Sequence, residues 1–587
     1  MRSKSTNISF AGIKKDDVVA FLLIFSAVVF IYMGMLSYPF IWDDSISITD
    51  NPGFGTLTYI KDLFTGHFFD AGLPYSFGTD TGFYRPLVGV SFVLDKMIWG
   101  MNAYGFRLTN IMLHIFTAYL FYFFMKRIKF NFYYALIGAL IYAIHPIHIG
   151  SVAYISGRTD VLRTFFMLLA IFSYWDKKNV TSLVFFAFSL LTKEDAVVLP
   201  GVLLGLDVII NKKLSKSVVW FILLSAIYMI MRRYYLNFSD IRSLDINICF
   251  LGTLAASLLE YLRIIIFPYD LHFERFFPVI KSVPIAIAFI VMTVLFILLI
   301  INRNKHDRRA MFSLFSFAVI FFPVSNFFPI YNQYRYFYIF LADHFMYFPM
   351  MFLIILFACI VERLNSAVTK YGYKMILVIL AISFLVFHFK YSKSWINSEM
   401  LYTHIEEESE FPFRAYNNLA AYYAEKGDPR CLQYLEKLRR IMPPDYTTYY
   451  ITKANWHYFK EKNIDESIKT LNDAINNGVR NSSVYFPLGD MYFEVNDIRE
   501  AVKTYELGIS VTKSENYIIF FRLGFFYTKL GDIENLKKAE KWFEESLIIN
   551  PENMDITKYL YNTRKKIYDE SHPKIKELEH IFKKKVN

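Results

Sequence analysis

The chain has 587 residues, of which 55% are hydrophobic, 19% aromatic and 20% charged, and its formal net charge is +11. A soluble protein carries about 25% charged residues, so this composition argues against an ordinary cytosolic enzyme. The charge is unevenly distributed. Residues 391–587 contain 29 Lys and Arg against 30 Asp and Glu, whereas residues 1–390 contain 34 basic and 22 acidic residues. The basic excess lies in the hydrophobic part, where it orients membrane helices, and a nucleic-acid partner is not expected.

The N-terminal segment predicts a first membrane helix rather than a cleavable signal. Basic residues precede an apolar run from Val18 to Leu36, and no small-x-small cleavage site follows it. This run approaches the roughly 20 residues that are needed to cross a bilayer. Its basic end is therefore expected on the inner side.

Further apolar runs predict a polytopic helical domain over residues 1–390. They lie near residues 106–125, 132–149, 159–175, 181–192, 196–210, 218–231, 284–301, 311–329, 346–362 and 374–390. The basic clusters between them are Lys126–Lys129, Lys177–Lys178, Lys212–Lys216, Arg303–Arg309 and Arg363–Lys374. Placing all five clusters inside gives about eleven spans.

This count requires that the segment Phe250–Phe267, which contains Glu260 and Arg263, does not cross the membrane. We therefore expect that segment to be interfacial or re-entrant. The long polar loop Tyr38–Tyr104, the other polar loops discussed below and the tail then all face the outer side.

An internal repeat predicts a helical solenoid over residues 411–587, after a linker at 391–410. Paired residues recur every 34 or 35 positions, each followed by a Tyr, at Leu419-Ala420, Ala454-Asn455, Leu488-Gly489 and Leu523-Gly524. This spacing is typical of tetratricopeptide repeats, whose helix pairs stack into a superhelix with a concave binding face. We expect about four repeats and a helical cap near residues 555–583, so the whole chain is predicted to be all-α.

Two adjacent carboxylates, Asp43 and Asp44, follow the first helix at the outer surface. Burial at an apolar boundary raises the pKa of a carboxyl and makes it a candidate general base. The alternative is that both are loop and cap residues. Tyr84 and Arg85 end the same loop, and Arg85 is a candidate to bind a phosphate or a carboxylate bidentately, although an interfacial Arg also snorkels to lipid headgroups.

Further polar groups bracket two later outer loops. His145 and His148 begin one loop, where hydrogen bonding or proton transfer is favoured over a metal site because Pro146 breaks the helical geometry. Arg158 and Asp160 end it and form either an ion pair or part of a site. Lys193 and Glu194 interrupt an apolar stretch, and charges at membrane depth suggest function by default, with a tight turn as the alternative.

The last candidates are Arg335, Asp343 and His344, on a later outer loop. Taken together, one face of the domain carries several cations and several carboxylates. Transfer from an anionic lipid carrier requires this combination, with a base for the acceptor hydroxyl and cations for the departing phosphate. The three cysteines, Cys249, Cys359 and Cys431, have no metal-binding spacing.

These motifs, in this order, resemble the TMTC family of transmembrane and tetratricopeptide-repeat O-mannosyltransferases, within the GT-C superfamily. The segments that carry the resemblance are Phe40–Asp44, Tyr84–Leu87, His145–Asp160, Lys193-Glu194 and Ala342–Pro349, and the repeats follow in the expected place. His344 departs from the family pattern, since many relatives carry an Arg there.

The resemblance implies an inverting transferase that moves a sugar, usually mannose, from a polyprenyl-phosphate carrier to an acceptor hydroxyl on the outer face. It assigns the acceptor base to Asp43 or Asp44, with a slight preference for Asp44, and makes Arg85, Arg158, Lys193 and Arg335 candidates for the lipid phosphate. No metal or other cofactor is expected. The composition fits a bacterial relative, in the inner membrane, with site and repeats on the periplasmic side. The implied partners are the lipid-linked sugar, membrane lipid and an acceptor polypeptide or assembly partner on the repeats.

Two other classes of function remain open. In a non-catalytic scaffold the repeats dock assembly factors, but a simple anchor needs only one or two spans. A transporter or flippase usually shows internal symmetry in its membrane part, and inspection finds none. A transferase acting on a glycan or lipid acceptor keeps the same chemistry.

Overall fold

The computed structural model describes residues 14–66, 68–69, 71, 83–236, 246–327, 338–364, 372–513 and 516–586. Within these ranges the chain is mostly helical, as predicted, and it forms two compact units, one ending at Pro412 and the other beginning at Phe413. The helices of the first unit are α1 (Lys15–Tyr32), α2 (Leu57–Thr65), α3 (Pro86–Trp99), α4 (Ala103–Arg127), α5 (Phe132–Ile144), α6 (Ile149–Val152), α7 (Arg158–Trp175), α8 (Asn179–Leu190), α9 (Leu199–Gly205), α10 (Val218–Leu236), α11 (Ile248–Ile266), α12 (Val283–Asn304), α13 (Arg308–Phe321), α14 (Pro349–Leu364), α15 (Gly372–Ser392) and α16 (Ser398–Glu408). Two short antiparallel strands, β1 (Arg275–Pro278) and β2 (Tyr338–Leu341), pair with Arg275 opposite Leu341.

Four described helices are long and apolar enough to cross a membrane: α1 extended to Met35, α4, α11 and α12. A fifth candidate is the bent pair Phe132–Ile144 and Pro146–Val152, whose axes differ by 50°. The structure thus supports several apolar spans in a helical unit. The finer count of about eleven spans stays a prediction, since among the described residues only these candidates meet the criteria of length and apolarity.

The sequence predicts that the segment of helix α11 is interfacial or re-entrant, but its 19 residues have the length and apolarity of a crossing helix. Its beginning, however, lies beside the beginning of α12. A Cβ placed on Gly252 would lie 2.4 Å from the Cβ of Ala286, and the amide of Ile280 donates to Thr253 Oγ1 at 3.0 Å. Two successive membrane crossings run antiparallel, whereas α11 and α12 start side by side. The chain after α11 therefore runs back along the helix, through β1, before α12 begins.

Ion pairs and stacking bring the basic helix ends together at one end of the first unit, which we call the basic end. The pairs are Lys126 with Asp17, Arg127 with Asp176 and Arg309 with Glu362. The Arg309 guanidinium also lies over the ring of Phe130, at 4.4 Å from its centroid. Because α1 begins there while α4 and α7 end there, the opposite ends of these three helices lie together at the other end of the unit.

Arg107, near the start of α4, fixes the first loop at that other end. Its guanidinium donates to the carbonyl oxygens of Tyr38 at 2.6 Å, Pro39 at 2.9 Å and Ala153 at 2.6 Å, and the side chain is only 1% exposed. A buried Arg that saturates backbone carbonyls holds two chain segments in register. The loop after α1 is thereby placed against the segment between α6 and α7.

The second unit is a row of helix pairs. They are α17 (Phe413–Lys426) with α18 (Arg430–Ile441), α19 (Thr447–Asn455) with α20 (Ile464–Asn476), α21 (Ser482–Glu494) with α22 (Ile498–Thr512), α23 (Tyr517–Leu530) with α24 (Ile533–Ile549), and α25 (Met554–Ile567) with α26 (Pro573–Val586). Successive pairs begin about 35 residues apart, as the repeat predicts. A Cβ on Gly489 would lie 2.4 Å from the ring of Tyr505, and one on Gly524 would lie 2.8 Å from Phe543. The small residues of the repeat therefore permit close helix packing, and the predicted cap forms a fifth pair.

Candidate active site

Asp44 is buried and tied to the segment between α6 and α7. Its Oδ1 accepts from the amide of Ser156 at 2.9 Å and from the Ser156 hydroxyl at 2.6 Å, and its Oδ2 accepts from the Ile41 amide at 3.2 Å. The side chain is 0% exposed, and this burial raises the pKa of Asp44 to about 6, against the opposing effect of the Ser156 hydrogen bond. Such a carboxyl is ionised at neutral pH and is held in one orientation.

Asp43, the neighbouring carboxylate, is only half-buried. Trp42 precedes it with a φ of 54°, a left-handed conformation that is rare for a bulky residue. This turn packs the Trp42 indole against Phe273 at 4.9 Å and against Tyr154 at 5.9 Å. The aromatic contacts fix the loop just before the carboxylate pair. Because Asp43 is half-buried and Asp44 is fully buried, Asp43 is the more accessible of the two acids.

Gly157 allows the loop before α7 to come this close. A Cβ on this residue would lie 2.4 Å from the carbonyl oxygen of Gly150 and 2.9 Å from Ser151 Cα. These are backbone atoms, which cannot yield as a flexible side chain can. A side chain at position 157 would therefore separate Ser156 from Asp44.

Arg85 and Glu194 form a bidentate ion pair across 109 residues of sequence. The distances are 3.3 Å from Nε to Oε2 and 3.1 Å from Nη2 to Oε1. Burial opposes ionisation of Glu194, but Arg85, with help from Arg232, lowers the pKa of Glu194 to about 2. Tyr84, immediately before Arg85, is buried and donates its hydroxyl to the Phe64 carbonyl at 3.1 Å. The motif at the end of the first loop is thereby anchored to the loop after α8.

Arg158 is fully buried and fully engaged, and it does not pair with Asp160. Its Nε donates to Asn110 Oδ1 at 2.6 Å, Nη1 donates to both the carbonyl and the hydroxyl of Ser91, and Nη2 donates to Asp95 and to the Phe106 carbonyl. All three guanidinium nitrogens thus bind the protein itself. This arrangement fits a residue that holds α3, α4 and α7 together.

Asp160 instead belongs to a charged cluster with Lys193, Arg163 and Asp195. Lys193 Nζ lies 2.7 Å from Asp160 Oδ1, Arg163 Nη2 lies 3.3 Å from the same oxygen, and Arg163 also contacts Asp195. Asp160 and Arg163 are at most 2% exposed, and Lys193 is 5% exposed. Charges buried to this degree are retained only when they are paired. The Lys193–Asp160 and Arg163–Asp195 pairs join α7 to the loop after α8, whereas the Arg163–Asp160 pair lies within α7.

The His residues of the predicted loop have separate environments. His145 Nδ1 accepts from the Ile147 amide at 3.2 Å, and its Nε2 lies 2.8 Å from the carbonyl oxygen of Ile265 in α11. His148 is fully buried among aromatic rings, with Tyr142 at 4.6 Å and Tyr347 at 4.7 Å. Among the described residues, no group of three or more His, Cys, Asp or Glu side chains is placed to hold a metal ion.

Asp343 and His344 join the same end of the unit. Asp343 is 2% exposed, and burial raises its pKa to about 7 despite the nearby Arg275. His344 stacks on Phe273 at 4.5 Å, and burial lowers its pKa to about 3 although Asp160 opposes this shift. His344 is therefore neutral at physiological pH. The predicted phosphate ligand Arg335 lies outside the described residues.

The structure brings the first loop, the α7 start, the loop after α8 and the segment 342–349 to one end of the first unit. Sequence reasoning overlooked two residues of this assembly: Ser156 and Arg163. Arg163 had a usable signal, because it lies three residues after Asp160 on one helix face and interrupts an apolar run. Ser156 had none, since a single serine in a loop does not reveal a partner 112 residues away.

Comparisons with known proteins bear on this unit. Residues 93–300 match the family model described as dolichyl-phosphate-mannose-protein mannosyltransferase. The chain is 35% identical over 144 residues to protein O-mannosyl-transferase TMTC2 of Mus musculus, a match covering 24% of this chain and 17% of that protein. It is 24% identical over 325 residues to protein O-mannosyl-transferase F38B6.6 of Caenorhabditis elegans, covering 52% of this chain and 47% of that protein. The predicted relationship to the TMTC proteins is thus confirmed, while the matched segments span less than half the length of these relatives.

Among solved structures, the crystal structure of the APC/C hetero-tetramer Cut9-Hcn1 aligns with 81% of this chain and 92% of that chain, at 12% identity and a TM-score of 0.23. This value supports no inference about fold or function. The repeat assignment rests on the helix pairs and their spacing.

Proposed function

We propose that this relative of the TMTC proteins is a membrane glycosyltransferase of the GT-C type, which moves mannose from a polyprenyl-phosphate carrier to a Ser or Thr hydroxyl of a polypeptide, with inversion. The observation that supports this most strongly is the buried charge network at the non-basic end of the first unit, in a chain whose residues 93–300 match a mannosyltransferase family model. A scaffold has no need of so many desolvated charges, since each is costly unless it is paired.

The carboxylate pair supplies the base. Asp44 is held by Ser156 and Ile41 and positions the loop, whereas Asp43 is exposed enough to meet an incoming hydroxyl. We therefore shift the preference to Asp43 as the group that takes the proton. The acceptor oxygen attacks the anomeric carbon, the bond from that carbon to the phosphate oxygen breaks, and the lipid phosphate leaves with the electron pair.

Arg85 and Lys193 are the cations that we assign to the departing phosphate. Their side chains are 13% and 7% exposed, so they reach the edge of the cluster, unlike Arg158, whose nitrogens are all engaged. Fixed cations in a water-poor site stabilise charge that develops on the leaving group. Asp160 and Glu194 hold these cations in place, while His344, being neutral, adds no positive charge.

The topology proposed from the sequence has about eleven spans and a bacterial inner membrane, with site and repeats on the periplasmic side. The contacts support two of its elements. The basic clusters meet at one end of the unit, as the positive-inside rule requires. In addition, α11 and α12 start side by side, so the chain returns after α11 to the side from which that helix began. The segment therefore adds no net crossing, and the helices after it keep the orientation that the sequence predicts.

The test is sugar transfer in proteoliposomes supplied with labelled polyprenyl-phosphate mannose, with products separated into protein, glycan and lipid fractions. Wild type is expected to label protein. Asp43→Asn should reduce transfer by at least 100-fold, as expected for loss of a general base (10²–10⁴-fold). Asp50→Asn, an exposed acid in the same loop, is the matched control and should retain activity.

Each other outcome is informative. Label in the glycan or lipid fraction would keep the chemistry and change the acceptor class. Full activity of Asp43→Asn with loss in Asp44→Asn would return the base to Asp44, and full activity of both would refute the assignment. Absence of transfer from folded wild type, with other lipid-linked sugars also tried, would favour a scaffold.

A further inference from the structure

The second unit contains a polar cleft between α18, α19 and α20. Its volume is about 150 Å³, and its lining consists of Arg439, Tyr449, Tyr450, Lys453, Thr470, Asp473 and Asn477. This volume is below the roughly 300–1,000 Å³ of sites that enclose a whole small ligand, so the cleft has room for one side-chain group, such as a carboxylate, and the rest of a bound segment would lie outside it. The proposed transfer site is in the first unit and uses none of these residues.

Two cations of the cleft are held against one aromatic ring. The Arg439 guanidinium lies 5.3 Å from the Tyr449 ring centroid and Lys453 Nζ lies 5.8 Å from it. Tyr450 is 3% exposed, donates its hydroxyl to the Pro444 carbonyl at 2.8 Å and accepts from Arg439 Nη1 at 3.4 Å. The positions of both cations are therefore set before any ligand arrives, which reduces the entropy lost on binding.

These cations make no ion pair within the part of the chain that the structure describes, whereas other basic residues of the repeats do. Lys469 pairs with Glu466, Lys503 with Glu500 and Arg430 with Asp428. The remaining charged group of the cleft lining is Asp473, on α20, so two positive charges face one negative charge. The repeat region as a whole, residues 411–587, is close to balanced, with 28 Lys and Arg against 25 Asp and Glu.

We propose that this cleft binds an acidic segment of a partner polypeptide. A carboxylate of the segment is bound between Arg439 and Lys453 through charge-assisted hydrogen bonds. The Asp473 carboxylate and the Asn477 amide, one helical turn apart, accept from and donate to the backbone of the same segment.

The experiment measures fluorescence anisotropy of a labelled peptide, Gly-Ser-Glu-Glu-Ser-Gly, on the full-length chain in detergent micelles. The comparison peptide carries Gln in place of both Glu residues. We expect the acidic peptide to bind at least tenfold more tightly at low salt, and the difference to shrink at high salt. Arg439→Gln and Lys453→Gln should each weaken binding about tenfold, and Arg439→Lys should weaken it less. Lys469→Gln, on α20 outside the cleft, removes one exposed charge and is the matched control.

Circular dichroism of each variant verifies that the repeats remain folded. Equal affinity for the two peptides, or equal weakening by Lys469→Gln, would overturn the proposal. So would displacement of the peptide by inorganic phosphate or by a soluble anionic phospholipid at lower concentrations than the unlabelled acidic peptide requires, since the site would then belong to that ligand. None of these outcomes depends on sugar transfer, so the proposed activity stands or fails separately.

Discussion

Substitution of Glu194 by Gln tests whether the Arg85–Glu194 pair is a stabilising link between the first loop and the segment after α8. The pair lowers the pKa of Glu194 from its ordinary 4.5 to about 2. At 1.36 kcal/mol for each pKa unit, this difference corresponds to about 3 kcal/mol of stabilisation of the ionised form. The side chains are only 13% and 21% exposed, so solvent screening removes little of it. Loss of one partner from a buried pair costs about 3–5 kcal/mol, in agreement with this value.

The assay is unfolding of the full-length chain in mixed micelles by titration with SDS, followed by tryptophan fluorescence. We expect Glu194→Gln and Arg85→Gln each to lower the free energy of unfolding by about 3 kcal/mol at pH 7. The double variant should lose much less than the sum, because it leaves no unpaired charge. Glu436→Gln, which breaks an exposed pair with Arg440, should give no resolvable change.

The pH dependence has a defined sign. The folded-state pKa of Glu194 lies below its unfolded value, so the stabilisation is complete above pH 4.5 and is lost as the pH falls towards 2. Glu194→Gln should therefore flatten this part of the stability profile. Additive single effects in the double variant, or an unchanged profile, would show that the pair contributes nothing and would refute the reasoning.

Three further changes have expected outcomes. Ser156→Ala removes the hydroxyl that donates to Asp44 and so loosens the loop that carries Asp43; we expect transfer activity to fall while the acid limb of the pH–rate profile stays in place. Because the lost hydrogen bond favours ionised Asp44, a limb that moved to higher pH would return the base to Asp44. Arg158→Lys replaces a guanidinium whose nitrogens are all hydrogen-bonded with a single ammonium group. It should lower the free energy of unfolding by about 3 kcal/mol or more in the same SDS titration. A wild-type free energy of unfolding would contradict the structural role of Arg158. Gly157→Ala should lower stability by about 1–3 kcal/mol through the contact with Gly150, in contrast to Gly34→Ala, whose Cβ meets open space and needs no left-handed φ.

The repeats were predictable because their signal is local. Helix pairs that start at Thr447, Ser482 and Tyr517 follow from small residues recurring every 34 or 35 positions, and those residues lie where the helices touch. The linker at 391–410 stays a prediction, and within it the chain forms helix α16 at Ser398–Glu408. The buried apolar residues of that helix, Leu401, Tyr402 and Ile405, cover little more than one turn, which is too short a periodic signal to predict a helix from sequence.

Individual residues of the candidate site could be predicted from the sequence, but their contacts could not. Asp44, Glu194 and Asp160 were recognisable as polar groups at an apolar boundary, but their partners were not. Asp160 binds Lys193 rather than Arg158, because Arg158 at the first position of α7 points to Asp95 on α3. Pairing across tens of residues depends on helix packing, which composition and periodicity do not encode.

The basic residues at the basic end have one role during membrane insertion and another after the helices have assembled. During insertion, Lys126, Arg127 and Arg309 count as full positive charges, because acidic residues contribute little to the orientation of membrane helices. Once α1, α4 and α7 have assembled, and α13 has packed on α14, Asp17, Asp176 and Glu362 neutralise those same cations. The basic residues that set the topology thus form the ion pairs that hold the helices together. Substitution of one of these carboxylates would weaken the assembled bundle without changing the direction in which its helices were inserted.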